Sequence, residues 1–242
     1  MHTICMVGNM TNKELYRDFC HKTKQLPIFM QDWWLDAVCA GKQWDVLLYM
    51  DEEGNIQAVL PYLLRQRAWM KYIIMPQQTQ IGGIWIDDTV SNNEKKVAEI
   101  SLDFANQLNE MGLSYYYQHC PIGSPMVEHM RAMQFSITER ATYRIEDLTD
   151  LDAVINGFSK NKKRQLQKAL SLHVDYNMCV EDFYRFHVKC LQEKGKQITY
   201  TREFLLVLER KTARVQQSQI VSVCNGDNEV LAAAFLIWDN RS

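Results

Sequence analysis

At 242 residues the chain has room for one or two domains, and 47% hydrophobic with 23% charged residues gives it enough apolar material for a core. A net charge of −2 leaves no excess of cations to release counterions along double-stranded nucleic acid, so any anion site must be local. The seven cysteines (Cys5, Cys20, Cys39, Cys120, Cys179, Cys190 and Cys224) are odd in number, irregularly spaced and without a C-x-x-C pair, which points to reduced thiols in a cytoplasm and away from zinc.

Residues 2–7 read as a short strand, and this N-terminus lacks the basic start and long apolar run of a signal peptide. Thr11 to about Cys20 reads as a helix, with Thr11 and Glu14 spaced as a capping box. Pro27 precedes a second helix, about 28–40, with Phe29, Trp33, Trp34, Ala37 and Val38 on its apolar side and Gly41 ending it. Strands over Trp44–Met50 and Ile56–Leu64 flank the turn D-E-E-G-N, and a third follows at about 69–75. The segment P-Q-Q-T-Q-I-G-G-I-W-I is a glycine-marked loop or irregular strand. Its Gly82 and Gly83 suit a structural bulge or a close backbone approach to a ligand. Ser91 and Glu94 form a second capping box, opening a helix to about Glu110 that Gly112 stops. Leu113–Cys120 is a strand ended by Pro121. A short helix, about 125–133, and two short strands, about 135–138 and 141–146, close this half.

Within Leu113–Cys120, the side chains of Tyr115, Tyr117 and His119 share one strand face. His119 beside Tyr117 is a candidate general base, since imidazole titrates near neutral pH; a satisfied core histidine among tyrosines is the other reading. Cys120 is not a nucleophile for His119, because neighbours in a strand point apart.

The stretch Phe158–Leu172, F-S-K-N-K-K-R-Q-L-Q-K-A-L-S-L, reads as a helix capped by Ser159, with Leu166, Ala169 and Leu170 on one face. Its first turns carry Lys160, Lys162, Lys163 and Arg164. Cations at the positive end of a helix dipole cost roughly 0.3–1 kcal/mol each when exposed. An anion docked there would turn that cost into attraction, and a solvated basic face is the alternative.

After this helix the order begins again. His173–Met178 is a strand. Val180–Glu193 is a helix with Phe183, Phe186, His187 and Cys190 on one side. Thr201 caps a helix to about Lys211, and Ser218–Cys224 with Val230–Trp238 make a hairpin across N-G-D-N. Residues 26–38 align with 196–208 at an offset of 170, and the two hairpins align at 174. The last strand is apolar on both faces, as an interior strand would be, so an end four residues later leaves an edge open. The expectation is a fragment, or a chain truncated in its second domain, with sheet completion by another chain. The longest apolar run, Leu231–Trp238, is too short to span a bilayer.

The alternation of elements supports a mixed α/β fold. Its order resembles the GNAT superfamily of N-acyltransferases. The duplicated unit joined by a basic helix resembles the Fem-type peptidoglycan aminoacyltransferases and the wider FemAB-like acetyltransferases. The family-like segments are residues 142–154 leading into S-K-N-K-K-R-Q-L-Q-K-A, the hairpin A-V-L-P-Y (58–62) and the strand Y-Y-Q-H-C-P (116–121). The resemblance implies a tandem GNAT-like fold: a first domain over 1–148, a connecting basic-helix region over 149–172, and an incomplete second domain over 173–242. It implies a bacterial, cytoplasmic acyltransferase in which an acceptor amine attacks a thioester or ester. The acceptor would be a small molecule, a phosphate-bearing amino sugar or a cell-wall precursor. The family places a basic residue of the connecting helix against the acceptor phosphate, and Arg164 is the matching position, with Lys163 and Lys160 beside it.

Two departures bear on the donor. The long helical arm of Fem-type enzymes is missing, which weighs against aminoacyl-tRNA and toward an acyl-CoA co-substrate, with no covalently bound cofactor. The pyrophosphate loop of GNAT enzymes is also missing from the first half. A binding module that kept an anion cleft and lost transfer is therefore the alternative, and a structural partner domain is a third reading.

Overall fold

The structure, a computed structural model, describes residues 10–23, 25–39, 44–141, 143, 145 and 147–239. The expected strand at 2–7, the helix stop at Gly41 and part of the expected strand at 141–146 lie outside the described residues. The chain forms two compact units. One holds the described residues up to Ile137 together with Glu203–Gln217, Trp238 and Asp239; the other holds the described residues of Thr138–Arg202 with Ser218–Ile237.

The first unit opens with helix α1, Asn12–Lys22, and its capping box is complete: Thr11 and Glu14 each accept from the other's backbone N–H. The expected second helix is broken. A 3-10 turn at Ile28–Met30 and helix α2, Asp32–Cys39, are separated by extended Gln31, whose side-chain amide donates to the Leu26 carbonyl at 2.8 Å. Strands β1 (Trp44–Met50), β2 (Ile56–Arg67) and β3 (Met70–Ile74) form an antiparallel meander. Strand β4 (Trp85–Ile86) pairs with the start of β2. The helices α3 (Asp88–Ser91) and α4 (Glu94–Glu110) lead to β5 (Tyr115–Tyr116), which runs parallel to β3. Helix α5 (Met126–Ala132) follows.

The cap of the long helix differs from the expected Ser91–Glu94 box. Asp87 caps the short α3, and Asn93 caps α4 by accepting from the Lys96 N–H, while the Ser91 hydroxyl donates back to the Asp88 carbonyl. A second capping side chain just downstream took the role. Gly112, at φ +62, follows the end of α4 in the left-handed conformation expected of it. The expected strand Leu113–Cys120 pairs regularly only at Tyr115–Tyr116, and residues 135–138 form no strand.

The middle of β2, Ala58–Leu63, is buried and apolar on both faces, as in a sheet covered on both sides. Ala58, Leu60 and Tyr62 pack with Ile100, Phe104 and Leu108 of α4 and with Met126 and Met130 of α5. On β1, Trp44 is buried and meets the buried Tyr16 of α1 edge-on at 6.2 Å. Arg17 ties α1 to α2, forking onto Asp36 at 2.8 and 2.9 Å and reaching Asp32 at 3.0 Å, and Asp36 also accepts from the Trp44 indole at 2.9 Å.

The second unit contains helices α6 (Leu151–Gly157) and α7 (Lys160–Ala169), strand β6 (His173–Asp175), helix α8 (Val180–Glu193), and strands β7 (Ser218–Cys224) and β8 (Val230–Ile237). Its antiparallel sheet has the order β6-β7-β8. Phe183 of α8 packs edge-on against Phe235 of β8 at 6.1 Å, over the buried Ile220 and Ser222 of β7. The last strand shows the open edge expected of this chain: among the described residues β8 pairs only with β7, and Ala232, Ala234 and Leu236 stand exposed. Helix α9 (Arg202–Arg214) lies almost wholly in the first unit, with Leu205 and Leu208 buried. The internal repeat is present in the elements: α2 and α9 begin 170 residues apart, and the two hairpins begin 174 apart. Among the described residues no helix is long and apolar enough to cross a membrane.

The Arg17 cluster sets an acid sensitivity. Burial pushes the Asp36 carboxyl up, but the hydrogen bonds from Arg17 and Trp44 and the nearby positive charges outweigh this, and its pKa lies below the ordinary 3.8. A depressed pKa contributes stability above the ordinary value, lost as pH falls through the lower one. Asp36→Asn is expected to cost on the order of 1–2 kcal/mol at pH 7, the range for charged hydrogen bonds discounted for partial exposure. Urea unfolding of both proteins should show the difference shrinking below about pH 3.8; a constant difference would assign the cost to packing.

Candidate functional site

The site in the first unit begins with a missing donor. Proline has no backbone N–H and cannot sustain a ladder. Strand β2 pairs with β3 at Leu63↔Ile74, and two residues further along that register Pro61 would face Pro76. Neither residue could donate, and pairing stops. It resumes only where β4 meets Val59 and Ala58. Between the two ladders the chain leaves the sheet over residues 75–84, and among the described residues β2 has no strand partner on that side at 60–62.

Gln118 bridges this interruption. Its Nε2 donates to the Pro61 carbonyl at 2.9 Å, and its Oε1 accepts from the Gly83 N–H at 3.2 Å and the Tyr116 hydroxyl at 2.8 Å. Burial pushes the Tyr116 phenol well above its ordinary pKa of 10.0, so it remains a donor. The Gly82 N–H donates to the His119 carbonyl at 2.8 Å. Gly83 sits at φ +86, and a Cβ there would lie 3.1 Å from the Cys120 sulfur, so the close approach of these two segments requires glycine. The cavity beside the bridge is lined by Phe29, Leu35, Pro61, Met75, Thr79 and Gln118, and its volume is about 10 Å³. Thr79 is held by the Trp34 indole at 3.1 Å.

Along the outer side of β5, the Tyr115 and Tyr117 rings stack at 6.3 Å and Tyr117 meets His119 edge-on at 5.1 Å, so the three residues do share a face. His119 Nδ1 lies 3.2 Å from the Gln80 carbonyl and Nε2 lies 2.6 Å from the Tyr117 hydroxyl. A carbonyl only accepts, so Nδ1 carries the hydrogen and the bare Nε2 of the neutral ring accepts from Tyr117. That tautomer aims the basic nitrogen at an exposed hydroxyl. Cys120 points elsewhere, toward Gly83, and burial pushes its thiol up. It is a protonated, inward group and no nucleophile.

The other predicted residues lie in the second unit. Lys160, Lys163 and Arg164 fall at i, i+3 and i+4 of α7 and so share a helix face. Ser159 caps the helix as expected, accepting from the Lys162 N–H. Lys163 has a local partner: its ammonium donates at 2.9 Å to the Asn156 carbonyl in the last turn of α6. It thus sits at the negative end of one helix while starting the next, which relieves part of the dipole cost. Among the described residues Arg164 Nη2 reaches the Asn161 side chain alone, at 3.3 Å, and Lys160 is exposed. The expected apolar face of α7 is on the surface, with Leu166 41% and Leu170 75% exposed. Among the described residues no group of His, Cys, Asp and Glu is arranged to hold a metal ion.

Gln118 and the proline pair were missed in the sequence. Pro61 within an apolar strand was the available signal, but its counterpart Pro76 emerges only with the register.

No model of a known protein family matches the chain, and no curated relative matches it in sequence. Among solved structures it is similar to FemX, at 13% identity and a TM-score of 0.57, covering 90% of this chain and 57% of FemX. It therefore spans a little over half the length of FemX. An acetyl transferase from Pyrococcus furiosus (10% identity, 55% of this chain, 91% of that one, TM-score 0.31) is a more distant likeness. So is an aminoglycoside 6'-N-acetyltransferase from Acinetobacter baumannii (13%, 51%, 97%, 0.24). Neither of these two carries weight. The FemX likeness establishes the fold: mixed α/β, of the GNAT/Fem-like kind.

Gln118→Ala removes the partner of two donors and one acceptor. It is expected to destabilise the first unit by about 1–3 kcal/mol for each group left buried and unpaired, and to speed amide exchange at Gly83. Exchange at Gly83 unchanged from the parent would show that the bridge does not hold the segment.

Proposed function

We propose that this chain is an N-acyltransferase module that passes an acyl group from acyl-CoA to an amine on a phosphate-bearing amino sugar or cell-wall precursor. The observation that carries this reading is the Gln80–His119–Tyr117 chain at the interrupted sheet, with its tautomer fixed and its basic nitrogen behind an exposed hydroxyl. The lone pair of the neutral acceptor amine would form the C–N bond at the thioester carbon, and as it does so that nitrogen passes one proton to the Tyr117 oxygen while the phenolic proton moves to His119 Nε2. The C–S bond breaks from the tetrahedral intermediate, and the departing thiolate takes back the proton through the same pair. Most of the rate would come from holding amine and carbonyl together. Arg164, with Lys160 beside it, is the group offered to the acceptor phosphate. Lys163, already engaged with Asn156, is the weakest of the three.

Two observations favour the alternative, a binding module without transfer. The cavity at Gln118, about 10 Å³, is too small for an acyl group, and the α4 N-terminus is occupied by the Asn93 cap and Glu94, which leaves no cradle for a pyrophosphate there.

Thiol release from acetyl-CoA, measured with an amino-sugar phosphate or a UDP-linked muramyl peptide as acceptor, separates the two. Transfer is expected, with Tyr117→Phe and His119→Ala each lowering kcat by about 10²–10⁴-fold. Arg164→Ala should raise KM for the acceptor and leave kcat nearly unchanged. A thermal shift with the acceptor, abolished by Arg164→Ala and unaccompanied by thiol release, would establish the binding module. Neither shift nor release would overturn both readings.

A further inference from the structure

We propose that the tip of the β2–β3 hairpin docks end-on against an anionic lipid surface. This goes beyond acyl transfer and does not depend on it. The strands turn through Ala68, held at φ 53, with the Gln66 side chain donating to the Ala68 carbonyl at 3.1 Å. The turn thrusts Trp69 into solvent, 82% exposed, with Met70 beside it at 37%. An indole so exposed at a protruding tip, on a chain that buries Trp34, Trp44 and Trp85, forgoes a large burial gain unless something covers it.

The charges behind the tip identify what covers it. Arg65 and Arg67 alternate on β2, and the register places Arg67 opposite Met70 and Gln66 opposite Lys71. Arg65 and Arg67 therefore lie on one face of the hairpin and Lys71 on the other. None of the three pairs with a carboxylate among the described residues. Three uncompensated cations stand together on a chain of net charge −2. Arg67 lies one pairing step behind the Ala68–Trp69 tip, and Lys71 lies two steps behind it, about 7 Å at the usual rise of a strand. That is the depth by which an interfacial apolar group enters a bilayer, so the cations come level with the headgroup phosphates as the indole reaches the acyl boundary. A ligand stacked along one side, such as single-stranded RNA, would need cations on that side alone. Lys71 on the opposite face fits a surface met end-on.

Co-sedimentation of the full chain with phosphatidylcholine vesicles, with and without phosphatidylglycerol, tests this. Binding is expected only to the anionic vesicles and is expected to weaken with salt. Arg67→Gln and Lys71→Gln should each lower partitioning about fivefold. Trp69→Ala should lower it as well, with melting temperatures unchanged because all three side chains are exposed. Absence of binding to anionic vesicles would overturn the proposal. So would binding indifferent to these substitutions, or a loss seen for a single-stranded RNA oligonucleotide in place of vesicles.

Discussion

Two prolines that would face each other across β2 and β3 decide where the first unit can carry a site. Most interior strands are closed by their own hydrogen bonds and offer nothing to a ligand. Here the ladder has no donor on either side, so it opens at the centre of an otherwise well-covered sheet. The chain returns through β4, but only after the excursion over 75–84, and the Gln118 amide stands in for the lost backbone contacts. Everything assigned to the site follows from this. The excursion brings the Gln80 carbonyl to His119, fixes its tautomer, and turns its basic nitrogen toward Tyr117. The rigid surround supplies the precision. Trp34 anchors Thr79, and Ile73, Ile100 and Phe104 beneath the sheet are fully buried.

The basic helix takes a different place in the account. Cations at its N-terminus carry a dipole cost that a docked anion would relieve, with a solvated basic face as the alternative. Part of that relief is local, because the C-terminal turn of α6 presents the Asn156 carbonyl to Lys163. The short α6 was not legible as a helix in the sequence, so the second dipole was missing from the electrostatics. Lys160 and Arg164, which meet no opposite charge on their own helix, retain the original argument.

Other features were legible to the degree that they are local. The capping box of α1, the span of α8, both hairpins and the glycine stop after α4 depend on residues a few positions apart, and each was read correctly. Errors arose where two signals competed or where pairing decided the outcome. Asn93 displaced Ser91 as a cap because both side chains can accept, and only the helix phase distinguishes them. The strand at Leu113–Cys120 lost its regular partner after Tyr116 because β3 turns away at Pro76. The last strand is not among these errors: apolar on both faces, it was expected to leave an open edge, and among the described residues it pairs only with β7. Sequence shows that a strand can be interior, but neighbours are set by the topology.

We propose that acyl-CoA meets the chain at the interrupted sheet, beside the Gln80–His119–Tyr117 chain. Hydrogen exchange of the full chain with and without acetyl-CoA tests it most directly. The account predicts altered exchange in peptides covering 79–83 and 116–120, with α1 and β1 unchanged. Acetyl-CoA that binds while leaving both of those segments unaltered would contradict it.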